Sequence, residues 1–379
     1  MSAQMPAQNL PARNAQQQRP RGRLDPTVGK ARTMVGALLG LTTTGKHRPV
    51  QDPPLVLVGC SGGPDSLALA AVAAFFASRG EIRVGAVVVD HQMQPGSAEV
   101  AENTAETLRA LGLDPVQVRT VELAHDGVGP EAAARAARFA ALDVAARELG
   151  AQTVLLGHTL DDQAESVLLG LARGSGTKSL AGMRPRRGRY ARPFLGLRRS
   201  ETLAICEALD LDPWHDPANT DQAYLRVRVR HNVLPFLSAE LGPGITESLA
   251  RSATILGHDA DFLDELAQAE FDRIAEICPG TQALPAEVRL PEDALRRLAP
   301  ALKMRVLARA VVVLGGYQPS YERLVSAQEL LERKGSAGPV QMAGKVSAYR
   351  ISRSQSVPQD GPGYGKLVLR RGDTALHLH

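Results

Sequence analysis

Three clusters of polar residues have the types and spacing to do chemistry. The first is Ser61-Gly62-Gly63-Pro64-Asp65-Ser66, set between an apolar run, "PLVLVGC", and an alanine-rich run, "SLALAAVAAFF". Glycines in such a loop let the backbone approach a phosphate closely. Successive backbone N–H groups make an anion-binding concavity, and the N-terminus of a following helix adds about half a positive charge. The serine hydroxyls donate hydrogen bonds, and the Asp65 carboxylate is a hard oxygen ligand suited to Mg2+. An ordinary strand-to-helix loop would also use Ser or Asp as a cap, but the whole string after a buried strand favours a phosphate cradle. No lysine follows the glycines, so this is not the G-x-x-x-x-G-K-[ST] loop. The second cluster is Gly157-His158 with Asp161 and Asp162. Carboxylates there can hold an ammonium group or a metal and orient an amine for attack. The third is Arg135 with Arg138, three apart and on one face of a helix, a pair able to clamp phosphates or offset charge in a transition state. Asp90 and His91 close another apolar run, "RVGAVVVD".

The elements that position these residues alternate. From about residue 54 the pattern reads β-α-β-α: strands "PLVLVGC", "RVGAVVVD", "PVQVRTV" and "AQTVLLGH", separated by helical stretches. Continuous apolar strands are buried on both faces. Pro130 suits the first turn of one helix and Gly150 its end. The expected fold class is α/β, a doubly wound parallel sheet followed by a smaller helical domain. Ligands of such sheets bind outside the carboxyl ends of the strands, and the loops after strands one, two and four carry polar clusters where that rule would place them.

After residue 176 the character changes. Seven arginines and no acid lie between Arg184 and Arg199. The run could be a solvated basic loop, but it makes better sense as a nucleic-acid footprint, since clustered arginine neutralises phosphates and stacks on unpaired bases. Arg226, Arg228 and Arg230 alternate, so an extended backbone would place them on one face. The expected organisation is a disordered basic tail over 1–28, a short helix and linker over 29–50, a catalytic domain over 51–236, a helical domain over 237–336, and an unassigned segment over 337–379. The 379 residues carry a net charge of +4 and only three cysteines, with no C-x-x-C. Neither a zinc ribbon nor an iron–sulfur site is therefore signalled, and the cysteine content suits a reducing cytoplasm. No signal peptide or membrane-spanning run is expected.

S-G-G-x-D-S resembles the loop motif of the N-type ATP pyrophosphatases, which cleave ATP between the α and β phosphates and adenylate an oxygen of their substrate. Further segments make the chain similar to the tRNA(Ile)-lysidine synthetases. "VVVDHQMQPGSAEVA" matches their V-D-H segment at Asp90 and His91, while Met93 and Gln94 depart from Leu-Arg. Glu131, Arg135 and Arg138 match E-x-x-A-R-x-x-R. "LLGHTLDDQAESVLL" matches G-H-x-x-D-D-Q-x-E-[TS], and "WHDPANTDQAYLRVRVRHNVLP" matches the last motif except at Val227, where Asn is usual. The resemblance implies that Ser61, Gly62, Gly63, Pro64, Asp65 and Ser66 bind ATP with Asp90, His91, Gly157 and His158. It implies that Asp65 holds Mg2+, that Asp161 or Asp162 binds lysine, and that Arg138 with Arg228 or Arg230 meets phosphate charge. Arg184, Arg186, Arg187, Arg189, Arg192 and Arg226 would then contact tRNA. The reaction implied is ligation of free L-lysine to C2 of cytidine 34 in a CAU-anticodon tRNA(Ile). A tRNA thiolase of the same superfamily and a small-molecule amidoligase resembling NAD synthetase remain alternatives, as does a nucleotide-binding module without catalysis. From the residues alone, the reading stops at ATP-dependent adenylation with a polyanionic partner.

Overall fold

The computed structural model describes residues 24–43, 50–92, 94–122, 130–280, 284–333, 337–351 and 365–372. It divides into two compact units, one of residues 1–165 and 183–247, the other of 166–182 and 248–379.

The first unit follows the alternating pattern: α1 (Pro26–Leu39), β1 (Leu55–Cys60), α2 (Pro64–Ser78), β2 (Arg83–Asp90), α3 (Ser97–Ala110), β3 (Val116–Thr120), α4 (Pro130–Glu148), β4 (Thr153–Leu156) and the start of α5 (Leu160–Ala172). After α6 (Thr177–Leu180) in the second unit, the first resumes with β5 (Arg186–Arg187), β6 (Tyr190–Ala191), α7 (Arg199–Ala208), α8 (Leu225–Arg228), α9 (Leu234–Leu241) and the first residues of α10 (Ile245–Ile274). The strands form one sheet in the order β3-β2-β1-β4-β6-β5. β1 runs parallel to both neighbours, with Val58 opposite Ala86 on β2 and Leu155 on β4. Only β5 is antiparallel to its neighbour.

Alternate residues of β1 point to opposite faces, and both faces are covered. Val58 joins Leu67, Phe76, Leu108 and Ile205 in one core. Leu57 joins Val87, Leu142 and Leu156 in the other. This double burial is why the strands read as unbroken apolar runs. The chain winds outward from β1 to β3, then returns to the far side of β1 as β4. The reversal between β1 and β4 is the topological switch point, where a crevice opens beyond the strand ends. The loops that follow these two strands are Ser61–Gly63 and Gly157–Thr159.

The second unit corrects the expectation of a helical domain followed by a separate terminal segment. It has helices, namely most of α10, α11 (Glu292–Arg297), α12 (Pro300–Val313) and α13 (Tyr321–Glu329). It also has a five-stranded antiparallel sheet in the order β7-β8-β11-β10-β9, from β7 (Glu276–Cys278), β8 (Glu287–Pro291), β9 (Ala337–Gln341), β10 (Val346–Ile351) and β11 (Lys366–Arg371). β8 pairs with β11, so the ladder crosses the expected boundary at 336/337. Strands of three to six residues give too little periodicity to detect in a sequence window. The core of this unit gathers Phe271, Leu290, Leu307, Val311 and Leu369.

α1 begins before the expected end of the tail, because the Asp25 side chain accepts a hydrogen bond from Thr27 N (2.8 Å) and caps the helix. Residues 1–23 lie outside the described residues. Among the described residues no helix is long and apolar enough to cross a membrane.

Candidate active site

The loop after β1 is tightly organised. Ser66 Oγ accepts from Ser61 N (3.1 Å) and donates to Gly63 O (3.0 Å), drawing the ends of the loop together. Gly63 caps α2 without any side-chain hydrogen bond, so the first N–H groups of the helix keep their capacity for an anion. Gly62 has φ +79, and a Cβ there would sit 2.5 Å from Thr104 Oγ1, so the turn needs glycine. Gly157, after β4, lies so close behind the loop that a Cβ would come within 2.8 Å of the Asp65 carbonyl. The two loops are thus pressed together at the switch point.

Beside the loop is a cavity of about 630 Å3, whose lining includes Cys60, Ser61, Asp90, His91, Arg138 and Trp214. It is closed by the 214–224 segment. Trp214 N donates to Gly62 O (3.0 Å), and Gln94 Nε2 donates to Asp216 Oδ1 (3.1 Å). Arg138 reaches the cavity from α4, and its guanidinium has no ion pair or hydrogen bond within the described residues. Burial and neighbouring Arg135 hold its pKa below the usual arginine value. A sheltered cation with no carboxylate is a seat for an anion. Burial and Arg138 also keep His91 below its ordinary pKa. His158 is pushed down to about 3 by the same two causes, so its imidazole is neutral. The Nδ1 atoms of both histidines are buried without a hydrogen-bond partner among the described residues.

On the other side of the loop is a cluster of carboxylates and arginines. Asp65, in the first turn of α2, accepts a short hydrogen bond from Thr202 Oγ1 and lies 3.5 Å from Arg199 Nε. Burial raises its pKa despite these two neighbours. Asp162 Oδ2 caps the start of α5 by accepting from Thr159 N (2.8 Å) and Thr159 Oγ1 (3.0 Å). Its Oδ1 faces Arg199 (2.9 Å), Arg226 (3.4 Å) and Arg230 (3.6 Å). Burial alone would raise the Asp162 pKa, but Arg199 and Arg226 outweigh it and hold the carboxyl below the ordinary range. Glu165, one turn on, has no exposed side-chain area and takes the same three arginines. Asp161 faces away from them: it accepts from Arg199 N (2.8 Å) and lies 3.4 Å from Arg198 Nη2.

A family model described as the PP-loop domain matches residues 42–237. The tRNA(Ile)-lysidine synthase of Leifsonia xyli is 50% identical over 305 residues, spanning 79% of this chain and 90% of that protein. That of Thermobifida fusca is 50% identical over 280 residues, 73% of this chain and 83% of that protein. That of Streptomyces coelicolor is 44% identical over 324 residues, 84% and 86% respectively. The chain belongs to the tRNA(Ile)-lysidine synthase family.

For a member of this family the expected ATP and carboxylate residues come together: Ser61 to Ser66, Asp90, His91, Gly157, His158, Asp161, Asp162 and Arg138 all border the switch point or its cavity. The arginines depart from expectation. Arg226, Arg228 and Arg230 are not extended; α8 and a π-helical turn over Val229–Val233 make the segment helical. Arg226 and Arg230, four apart, share a face and reach Glu165. Arg228 falls on another face and donates to Gln222 O (2.8 Å) and Ala223 O (3.0 Å), away from the cluster. Val227 is buried, so an apolar residue suits that position. Of the arginines expected to meet tRNA, Arg192 is only 6% exposed and is turned inward, its Nη1 donating to Arg184 O and its backbone N–H to Pro185 O. Arg189 lies 3.3 Å from Asp143. Arg186 and Arg187 are exposed on the hairpin. Sequence reasoning assigned no role to Arg199, Thr202 or Glu165, although Glu165 stands in the G-H-x-x-D-D-Q-x-E motif. The side chain of Glu131 and all of Met93 lie outside the described residues.

Proposed function

We propose that the protein joins lysine to C2 of cytidine 34 in the CAU anticodon of tRNA(Ile), consuming ATP and releasing pyrophosphate and AMP. The observation that carries the reading is Arg138, a guanidinium with no ion pair among the described residues, facing a nucleotide-sized cavity beside a helix N-terminus that has no side-chain cap.

In the first step O2 of the cytidine attacks the α phosphorus of ATP. The bond to the bridging oxygen breaks and pyrophosphate leaves. The Ser61–Ser66 loop, the first N–H groups of α2 and Arg138 stabilise the charge that builds on the phosphoryl oxygens. In the second step the lysine ε-amine attacks C2. The C2–O2 bond breaks, and AMP leaves carrying the cytidine oxygen. A neutral His158 can donate a hydrogen bond near the loop without adding charge.

Asp161 is the better lysine ligand of the two aspartates. Asp162 already faces three guanidiniums, which would repel an ammonium, whereas Asp161 has one arginine side chain at 3.4 Å. Magnesium typically binds one or two carboxylates together with substrate phosphates. The single carboxylate of Asp65 at the head of α2 fits that pattern, and no cluster of three His, Cys, Asp or Glu among the described residues would hold a metal alone. Such an ion supplies charge neutralisation at the phosphates. Arg186 and Arg187, exposed on the hairpin, suit the tRNA backbone. Sulfur chemistry is disfavoured, since burial raises the pKa of Cys60 and lifts that of Cys206 to about 11.

The test is stoichiometric. With ATP, lysine and CAU-anticodon tRNA(Ile), pyrophosphate and AMP should appear in equal amounts with tRNA-bound lysine; pyrophosphate release should require ATP and the tRNA, and AMP release and tRNA-bound lysine should require all three substrates. Pyrophosphate release from a folded, ATP-binding preparation without lysine on the tRNA would overturn the reading.

A further inference from the structure

Glu165 is fully buried, and neither step of the proposed reaction uses it. Its two oxygens take guanidiniums from two separate segments. Arg230 forks onto both, Nε to Oε1 at 2.8 Å and Nη2 to Oε2 at 3.3 Å. Arg226 Nε donates to Oε2 at 2.7 Å, and Arg199 Nη1 to Oε1 at 3.4 Å. A buried ionic cluster is weak evidence for stability, since apolar side chains of similar volume often stabilise as well or better. What such a cluster does fix is direction. Arginine presents its donors in a rigid fork, so occupying one edge of a guanidinium sets where its other N–H groups point.

The neighbours of the cluster show where that direction matters. Arg199, held by Glu165, also lies 3.5 Å from Asp65 in the first turn of α2, and it bonds Asp162 at 2.9 Å. Glu165 is therefore one side chain removed from the phosphate loop and shares all three arginines with Asp162. The helical backbone over 225–233 brings Arg226 and Arg230 to the same carboxylate from one face, while Arg228 points elsewhere.

We infer that Glu165 is a positioning residue: it fixes Arg199, Arg226 and Arg230 in a preset array beside the phosphate loop, and the adenylation step depends on that array. The inference rests on the reading of this site as an adenylating centre.

Glu165→Asp is the discriminating variant. It keeps the carboxylate but withdraws it by one methylene, about 1.5 Å. Misplacement on the ångström scale costs on the order of 100-fold in rate. The expected result is a kcat for pyrophosphate release about 100-fold lower, with the KM for ATP changed less than about 3-fold and a melting temperature near that of the wild type. The Nε–H resonances of Arg226 and Arg230, protected from solvent exchange in the wild type, should lose that protection. Wild-type kcat in Glu165→Asp, a loss confined to KM, or arginine resonances that stay protected would overturn the inference. If Glu165→Asp does not fold, Glu165→Gln combined with Arg226→Gln removes one charge of each sign. Its kcat should lie well below that of Arg226→Gln alone, and equality of the two would overturn the inference. Absence of pyrophosphate release by the wild type would instead sink the reading of the reaction, while the arginine resonances still decide the placement by Glu165.

Discussion

Replacing Arg138 by methionine should move two measurements in opposite directions. In the free protein its guanidinium is sheltered and makes no ion pair among the described residues, with Asp162 acting on it only at longer range. A fully buried unpaired ion costs several kcal/mol; Arg138 keeps some exposure, so relief of about 1 kcal/mol is the expected gain from removing the charge. Methionine fills a similar volume with no donor to satisfy. For a unit of this size, about 1 kcal/mol corresponds to a rise of about 2–4 °C in melting temperature. With ATP present the sign reverses. A hydrogen bond from a charged donor to a phosphate contributes about 1.5–3 kcal/mol, so ATP should bind roughly 10- to 150-fold more weakly. The thermal shift that ATP gives should shrink by a matching amount. Differential scanning fluorimetry with and without ATP, and calorimetric titration, measure both. A variant that melts lower than the wild type and binds ATP equally well would refute the assignment of Arg138 as an anion seat.

Gly157→Ala places a Cβ 2.8 Å from the Asp65 backbone, so the loop must shift, and calorimetry should show ATP binding lost or weakened at least tenfold. Asp65→Asn should abolish pyrophosphate release in a quenched assay while leaving the fold intact by circular dichroism, because the amide can still accept from Thr202 but cannot hold Mg2+ as a carboxylate does. Between pH 6.5 and about 3 the unfolded chain binds a proton on His158 that the folded chain does not. Stability should therefore fall as the pH drops below 6.5, by up to about 1.4 kcal/mol per pH unit, and His158→Asn should flatten that part of a denaturant-midpoint profile. Asp161→Asn should raise the KM for lysine more than Asp162→Asn does, the latter acting mainly through the arginines it holds; steady-state kinetics with varied lysine separates the two.

What could be read from the sequence, and what could not, follows from the distance over which each feature is encoded. The phosphate loop and the parallel sheet are local. Leu57 and Val58 face opposite cores, so burial on both faces writes itself as an unbroken apolar run, and the polar strings must then sit at the strand ends. The arginine geometry is not local. An alternation of Arg226, Arg228 and Arg230 fits a strand or, with Arg226 and Arg230 paired, a helix. Glu165, thirty-four residues before Arg199 and sixty-five before Arg230, decides for the helix by holding both arginines of one face. Arg192 reads like its exposed neighbours, yet it is buried and bonds back to the carbonyls of Arg184 and Pro185. In the second unit, β8 finds its partner β11 more than seventy residues later, and so short a strand carries no periodic signature of that pairing. Motif matching reached Glu165 as a letter in a pattern; only the three guanidiniums around it give a physical reason for a carboxylate there.

The central claim is tested most directly by the mass of the wobble nucleoside. CAU-anticodon tRNA(Ile) is incubated with the protein, ATP and lysine, digested to nucleosides, and analysed by liquid chromatography and mass spectrometry. The account requires a nucleoside with the mass of cytidine plus lysine less one water, arising from position 34 alone and absent when ATP is withheld. An unmodified cytidine at that position, with ATP bound and the protein folded, would contradict it, as would a sulfur-containing base.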